Sequence, residues 1–485
     1  MWKKARISSQ VIFFFVFLWL FVNTKSKGAD ELGYPVKAFI DADPLLFLLT
    51  SLASRSIEVI PYLAIVVFIV TALFGRVFCG WVCPLGTLNN LVGGLKRKSA
   101  LAPTHNWFWV KYALLVFLFL SALFSLNLSG LVDPLSFLIR SFSVFLYPTF
   151  TNLTVLLSIK CASFGELYFL QGSFIGVLFL LVLGLNLVER RFWCRYLCPL
   201  GAFLGVLSRF SVLKKTVSER CNNCGLCERM CQGNPNKAEC FLCGDCDDGC
   251  PQKAIHLGFK GKELPWGIDI GKRRLFGAIF GGIIAVPLFR ISPTRKVAFA
   301  SEKLIRPPGA LEEKEFLRRC VRCGECMKVC ITNGLQPTLL EAGWEGIWTP
   351  FLVPRIGYCE FRCTLCGQVC PTGAIKRLTG KEKESLKIGL AVIEKNRCLP
   401  HAYSIPCIVC EEVCPTPKKA ITLETVTVKT KDGKEMEIKK PQVDPELCVG
   451  CGICEAKCPV VGSPAIYVTS AGETREREKK FLLDR

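Results

Sequence analysis

Apolar residues collect in four long runs within the first 190 residues: Ile7–Val22, Val59–Phe74, Trp107–Leu128 and Gly172–Val188. About 20 residues of helix cross a bilayer, so the pattern predicts four membrane spans, three of them a little short. Lys3, Lys4 and Arg6 precede the first run as in a signal peptide. The cleavage sequence is poor and three more runs follow, so a retained helix is expected. With the N-terminus inside, the inner segments 1–6, 75–106 and 189–215 carry 3, 4 and 6 basic residues, against 4 and 2 in the outer segments 23–56 and 129–171. That excess favours the N-terminus inside, although the first outer loop weakens the bias.

The pattern repeats itself. "DADPLLFLL" (41–49) precedes the second run, which leads to "CGWVCPLGTL" (79–88); "LVDPLSFLI" (131–139) precedes the fourth, which leads to "CRYLCPLGAF" (194–203). Each half reads as a span, an outer Asp-Pro-Leu segment, a span and an inner Cys-x-x-x-Cys-Pro-Leu-Gly, a parallel duplication of a two-helix unit. Each Asp-Pro-Leu opens an apolar stretch too short to cross a bilayer, which suits a re-entrant or interfacial segment. Asp43 and Asp133 read first as helix N-caps followed by proline, with a proton relay as the alternative. Trp81, Trp107 and Trp193 read as interfacial anchors.

Residues 1–215 thus form an α-helical membrane domain. From 216 to 262 the chain is polar and rich in cysteine; a basic cluster at 271–274 then opens a further apolar stretch to 290, a fifth, internal span. A Pro-containing linker (291–310), a second cysteine-rich module (311–470) and a charged tail (471–485) follow. The cysteine-rich parts are expected to be small α+β ferredoxin-like modules.

Apolar residues make up 51% of the 485 and the mean hydropathy is +0.37, between a soluble enzyme and a wholly embedded protein. The formal charge of +21 is dispersed and no nucleic-acid reader motif accompanies it. No Gly-x-Gly-x-x-Gly and no P-loop is present, so nucleotide chemistry has no support. The three histidines, His105, His256 and His401, lie outside the apolar runs and no Cys-x-x-Cys-His occurs, which argues against haem.

Cysteine changes the picture most. Of 29, twenty-four form six quartets, four form the two Cys-x-x-x-Cys-Pro pairs, and Cys161 stands apart, most simply a packing residue. The spacing C-x2-C-x2-C-x3-C-P is the run of two-cluster ferredoxins, whose fourth cysteine serves the other cluster. The first two quartets are Cys221, Cys224, Cys227, Cys231 and Cys240, Cys243, Cys246, Cys250. Crossing the fourth ligands assigns Cys221, Cys224, Cys227 and Cys250 to one cluster and Cys240, Cys243, Cys246 and Cys231 to the other; Gln232 stands where proline is usual. Two of the remaining quartets are regular: Cys320, Cys323, Cys326, Cys330 and Cys448, Cys451, Cys454, Cys458. Two are stretched in the first gap: Cys359, Cys363, Cys366, Cys370 and Cys398, Cys407, Cys410, Cys414. Spacing leaves open whether neighbours cross-ligate or the outer quartets nest around the inner ones. One quartet alone would also suit zinc; six with the same last gap point to six [4Fe–4S] clusters. Cys79, Cys83, Cys194 and Cys198 suit a further metal centre, thiol–disulfide cycling, or buried packing at helix ends.

"KKARISSQVIFFF", the two CxxxCPLG pairs and the two-cluster module resemble NapH, the membrane ferredoxin of periplasmic nitrate-reduction systems, and its NosR and CcoG relatives. "RPPGALEEKEFLRRCVRCGECMKVC", "CPTGAIKRL" and the last two quartets resemble NapG and MauM, exported four-cluster ferredoxins; Arg273-Arg274-Leu275-Phe276 matches their twin-arginine signal. The chain is thus similar to a NapH–NapG fusion. An internal signal cleaved near Ala298-Phe299-Ala300 would split it, so retention as a short fifth span is expected; an ordinary positive helix flank is the other reading of the arginines.

The resemblance implies a multi-pass protein of a bacterial or archaeal cytoplasmic membrane, a component of a quinol dehydrogenase, passing electrons from the quinone pool to a periplasmic reductase or c-type cytochrome. Its C-terminal module would then lie outside. No residue is assigned as acid, base or nucleophile. A relay from cytosolic ferredoxin is a rival within redox chemistry; a metal-handling or maturation factor for a respiratory enzyme is the rival from another class.

Overall fold

A computed structural model describes residues 2–28, 30–57, 61–95, 107–156, 167–222, 224–232, 239–258, 276–277, 279–284, 287, 302–429 and 435–475. Most of the expected fifth span and of the linker falls outside these residues, as do the Ala298–Ala300 sequence, His105 and Cys161.

The first 210 residues are helical, and the elements come in matched pairs. Trp2–Asn23, Pro44–Ser54, Tyr62–Phe74 and Pro84–Gly94 are followed, in the same order, by Trp109–Leu123, Pro134–Ser141 with its continuation Tyr147–Leu156, Gly172–Val188 and Pro199–Ser208. Proline at the first helical position sets φ and lacks only an N–H that has no helical partner there. The carboxylates before two of these prolines act as N-caps: Asp43 accepts from the N–H groups of Leu45 (2.8 Å) and Leu46 (3.0 Å), and Asp133 from those of Leu135 and Ser136 (both 2.9 Å).

Among the described residues, only Trp2–Asn23 is long and apolar enough by itself to cross a membrane. The other three runs yield helices of 13, 15 and 17 residues. The backbone explains the shortening: Gly75 at φ 83 stops one helix, and Ser125 at φ 60 turns the chain before the expected end at Leu128.

The bundle has an apolar core, yet it also buries several polar side chains and exposes many apolar ones. Gln10, Thr71, Asn89, Ser121 and Asn186 are buried between helices, whereas Phe15 (64% exposed), Tyr62 (72%) and Val177 (64%) face outward. Aromatic rings fill much of the interior: Phe17 and Phe21 each pack edge to face on Phe142, and Phe142 meets Phe179, which meets Phe137. Trp193, expected at an interface, is instead buried and stacked on Phe137 at 5.5 Å, because its turn folds back into the core.

The two cysteine-rich parts pack on opposite ends of this bundle. At one end Arg6 lies 3.7 Å from Asp245, Arg76 pairs with Glu239 at 2.7 Å, and Arg195 donates to the carbonyls of Cys231 and Gln232. At the other, Lys328 donates to the carbonyls of Phe21 and Thr24, Arg322 donates to Asn127 O, and Asp30 accepts from Thr364. Arg6 and Thr24 bracket one helix, so the two docking sites are separated along it by roughly 27 Å.

The smaller part pairs strands Lys214–Val217 and Ile255–Gly258. The larger holds three antiparallel strand pairs, Leu335–Pro337 with Pro350–Leu352, Leu390–Ile393 with Ile466–Thr469, and Ile421–Lys429 with Glu435–Val443. A buried ion pair closes its base: Arg306 donates to both carboxylate oxygens of Glu313 (3.0 and 2.5 Å), and Arg475 reaches the same carboxylate at 3.0 Å.

Burial alone would raise the Glu313 carboxyl, but the two guanidinium groups hold it down at about 2. Its stabilisation is therefore complete above the ordinary carboxylate range and fades as pH falls from about 4.3 toward 2. Glu313→Gln should remove about 3 kcal/mol by stranding the buried Arg306. Thermal unfolding of the full chain in detergent should show the loss at pH 7 and little difference between the two proteins near the acid end.

Candidate iron–sulfur site

Each cysteine run folds alike. The third cysteine is the second residue of a four-residue helix: Leu226–Arg229, Asp245–Asp248, Glu325–Lys328, Leu365–Gln368, Val409–Glu412 and Ile453–Ala456. In the regular runs the residue after the second cysteine is a glycine with positive φ, as at Gly324 (81°) and Gly452 (82°), which turns the chain so that successive thiols face one volume. In the stretched runs Thr364 and Ile408 occupy that position at ordinary φ, so the longer first gap supplies the turn.

The question that spacing leaves open, which run completes which, is answered by tertiary packing. One cavity is lined by Cys359, Cys363 and Cys366 together with Cys330, the fourth cysteine of the preceding run. A second is lined by Cys398, Cys407 and Cys410 with Cys458 of the last run. The complementary groups follow from mutual proximity: Cys320, Cys323 and Cys326 lie with Cys370, and Cys448, Cys451 and Cys454 with Cys414. Neighbouring runs therefore exchange their fourth cysteine, in two pairs. In the smaller part Cys240, Cys243 and Cys246 gather around Lys215, which donates to Cys246 Sγ at 2.8 Å.

These thiols fit an iron–sulfur cubane. Among the described residues no three His, Cys, Asp or Glu side chains close tightly enough on a point to hold a single ion. They instead surround volumes, and backbone N–H groups point at the sulfurs: Ile375 to Cys370 (3.4 Å), Ala465 to Cys458 (3.4 Å) and Ala391 to Cys448 (3.5 Å). Such bonds tune a cluster's potential. Burial pushes the thiols of Cys326 and Cys366 well above their ordinary range, so their thiolates need the cationic core that iron would supply.

The Cys-x-x-x-Cys pairs do not lie on plain α-helical turns. Phe78–Val82 and Trp193–Leu197 are π-helical, and Cys83 and Cys198 sit in extended conformation at their ends, each at the N-cap position of the following Pro-initiated helix, where Cys198 Sγ accepts from Gly201 N. All four thiols fall close together at the end of the bundle that carries the smaller part. Asp43 and Asp133 also meet, their carboxyls facing each other at the opposite end. Several site residues escape motif reading: Arg76, Arg191, Asn89, Glu239 and Asp41. Only the arginines leave a trace, since one stands three residues before the first cysteine of each pair.

Asp41 lines a cavity of about 290 Å³ with Leu46, Phe47, Tyr62, Arg319 and Pro371, the last two adjoining the thiols Cys320 and Cys370. Burial raises its carboxyl to about 6 despite Lys37 nearby.

This arrangement defines a ferredoxin-type iron–sulfur protein. Residues 59–101 and 171–218 match a family profile described as a 4Fe-4S binding domain, and 404–461 one described as a 4Fe-4S dicluster domain. The methylamine utilization ferredoxin-type protein MauM of Methylorubrum extorquens is 42% identical over 172 residues, 35% of this chain and 74% of that protein. The ferredoxin-type protein NapG of Escherichia coli is 37% identical over 206 residues, 41% of this chain and 85% of that protein. The chain belongs to this NapG/MauM family of ferredoxin-type proteins and is an iron–sulfur electron-transfer protein. No solved structure matches it.

The exchanged pairing makes a specific demand on mutants. Cys370→Ser should abolish the same cluster signal as Cys320→Ser, not the one lost with Cys363→Ser. Electron paramagnetic resonance of the reduced full-length variants checks this.

Proposed function

We propose that the protein is a membrane-bound relay that takes electrons from quinol and delivers them through its C-terminal clusters to a periplasmic acceptor, a reductase or a c-type cytochrome. The twenty-four quartet cysteines hold six [4Fe–4S] clusters, paired as 221/250 with 240/231, 320/370 with 359/330, and 398/458 with 448/414. The helical bundle spans the membrane with its N-terminus inside, the 216–262 module in the cytoplasm and the 311–470 module outside. A large exposed apolar surface on the helical bundle supports the lipid setting. The relatives' names, ferredoxin-type protein NapG and methylamine utilization ferredoxin-type protein MauM, support an electron-transfer role.

The observation that carries the quinol reading is the cavity at Asp41. It opens at the level where the bundle meets the larger module, its walls are mostly apolar, and it abuts the chain on either side of the Cys320/Cys370 pair. An apolar ring bound there would have a carboxylate within the same cavity to take a proton. Quinol oxidation releases two electrons and two protons; Cys320, Cys323, Cys326 and Cys370 would hold the cluster that takes up the electrons one at a time, and Asp41 takes the two protons in turn and returns each to the outer solvent. Lys37, Glu325 and Arg319 are the charged groups that face this position.

Two experiments test the reading. Protease added to intact spheroplasts should cut the 311–470 module and spare 216–262; protection of the larger module would overturn the topology. Asp41 must be ionised to accept a proton, so quinol-driven cluster reduction should rise with pH through about 6. Asp41→Asn should slow that reduction by roughly 100-fold and flatten the pH profile, while a fluorescent hydroxyquinoline N-oxide, a quinol analogue, still binds. An unchanged rate and profile would remove Asp41 and this cavity from the reaction.

A further inference from the structure

We propose that the surface around Cys398, Cys407, Cys410 and Cys458 is the electron exit of the larger module, and that it docks a soluble redox protein with an acidic rim around an apolar centre. The proposal rests on the chain being an electron relay, but not on quinol as its donor.

The first support is the order in which the cysteine sets adjoin. Exchanged fourth cysteines tie the 320/370 set to the 359/330 set, and the 448/414 set to the 398/458 set. The two pairs meet in the middle: Cys359 N donates to Cys451 O at 2.8 Å, and Phe361, Val449 and Ile453 pack around that junction. Contacts that seat the module on the bundle come from the first pair, through Arg322, Lys328 and Thr364. The sets therefore stand in single file, 320/370, 359/330, 448/414 and 398/458, with the first against the bundle and the last at the far end.

The second support is the stretched gap. In the run that begins at Cys359, one extra residue replaces the turn glycine. The run that begins at Cys398 inserts eight residues, 399–406, far more than the turn needs. The excess folds into a short helix, Leu399–Ala402, and a bend in which Ser404 adopts φ 54 and Ile405 N returns to Leu399 O at 3.1 Å. His401 Nε2 donates to Pro441 O at 3.0 Å and fixes this loop to the neighbouring strand. Tyr403 (62% exposed) and Ile405 stand out from the loop, and Ile408 and Val461 (91%) are exposed with them. Arg397 donates to Ser463 O at 2.8 Å, which draws the Val461 segment to the start of the loop. These side chains flank thiols that are only half-buried, Cys407, Cys410 and Cys458. The 359/330 set also has half-buried thiols, but it lies mid-file, where Asp30 bonds to Thr364. Apolar groups gathered in water around a redox site mark an interface.

The third support is charge. Of the exposed charged side chains in 395–419 and 457–463, Lys395, Arg397, Lys418 and Lys457 are basic and Glu412 is acidic. A basic rim selects a partner of opposite sign and speeds its approach. One electron leaving by this face reduces one oxidised centre in the partner, with no bond made or broken.

The test uses full-length protein in detergent, reduced with dithionite and desalted, so that no quinol is needed. The probe is mitochondrial cytochrome c with its surface lysines succinylated, which rings the haem edge with carboxylates; the unmodified, basic protein is the comparison. The succinylated form should be reduced faster, by roughly 10-fold or more at low salt, and the advantage should fade as salt rises. The variant Lys395→Glu, Lys418→Glu, Val461→Glu should lose that advantage with its iron content and paramagnetic resonance signals unchanged. Leu340→Glu, exposed elsewhere on the module, should change nothing. A carbodiimide, which joins lysine amines to carboxylates, should cross-link the succinylated cytochrome to wild-type protein through Lys395, Lys418 or Lys457, a readout that needs no electron transfer. Faster reduction of the basic cytochrome, an unchanged rate in the triple variant, or cross-links confined to other lysines would each overturn the proposal. Should the variant lose iron, the cross-link map decides. Reduction of neither cytochrome would overturn the relay reading as well, whereas failure of quinol as donor leaves this test untouched.

Discussion

Thiolates resist burial, and four of them in one apolar cavity are sustainable only around a cationic core. Much of the C-terminal half is arranged by that constraint. Strand pairs there are only three to nine residues long and bury little by themselves, so the cysteine runs, not a sheet, join the pieces. Because neighbouring runs exchange their fourth cysteine, two cavities cannot form independently: placing Cys330 with Cys359, Cys363 and Cys366 also places Cys370 with Cys320, Cys323 and Cys326. Folding and metal binding are coupled in such modules, and the exchange makes the coupling pairwise.

The helical half solves a related problem by a different means. It buries several polar side chains within an apolar core while many other apolar ones face outward, and hydrogen bonds between side chains, as between Asn89 and Asn186, fix part of the interior. Duplication then brings like residues together: Asp43 meets Asp133 at one end, and the four thiols meet at the other. Helix caps and thiols thereby gain a second partner that a single two-helix unit would lack. Charged and polar residues at the ends of the bundle hold the two cysteine-rich parts, Arg6 and Arg76 meeting Asp245 and Glu239 on one side, and Arg140 and Asn127 meeting Arg322 on the other.

Much of this was legible in the chain. The quartets, the internal repeat, the Asp-Pro helix starts and the apolar runs are all local patterns, and local patterns report backbone turns and helix periods faithfully. The helix ends were less legible, because a single residue such as Ser125 in the left-handed region ends a helix inside an otherwise apolar run. Trp193 misled for a similar reason: amphipathic rings favour interfaces on average, and this one is drawn into the core by Phe137.

What the sequence by itself determined is the chemistry: which residues are thiols, how they are spaced into loops that can wrap a cluster, and that two halves repeat. Spacing within a run is a covalent constraint and survives in any fold. The tertiary structure alone decided which run completes which, that the two Cys-x-x-x-Cys pairs converge, and that Arg191 and Asp41 stand beside thiols and an apolar cavity. These depend on contacts between segments tens to over a hundred residues apart, whose geometry is set by packing and charge burial rather than by chain connectivity.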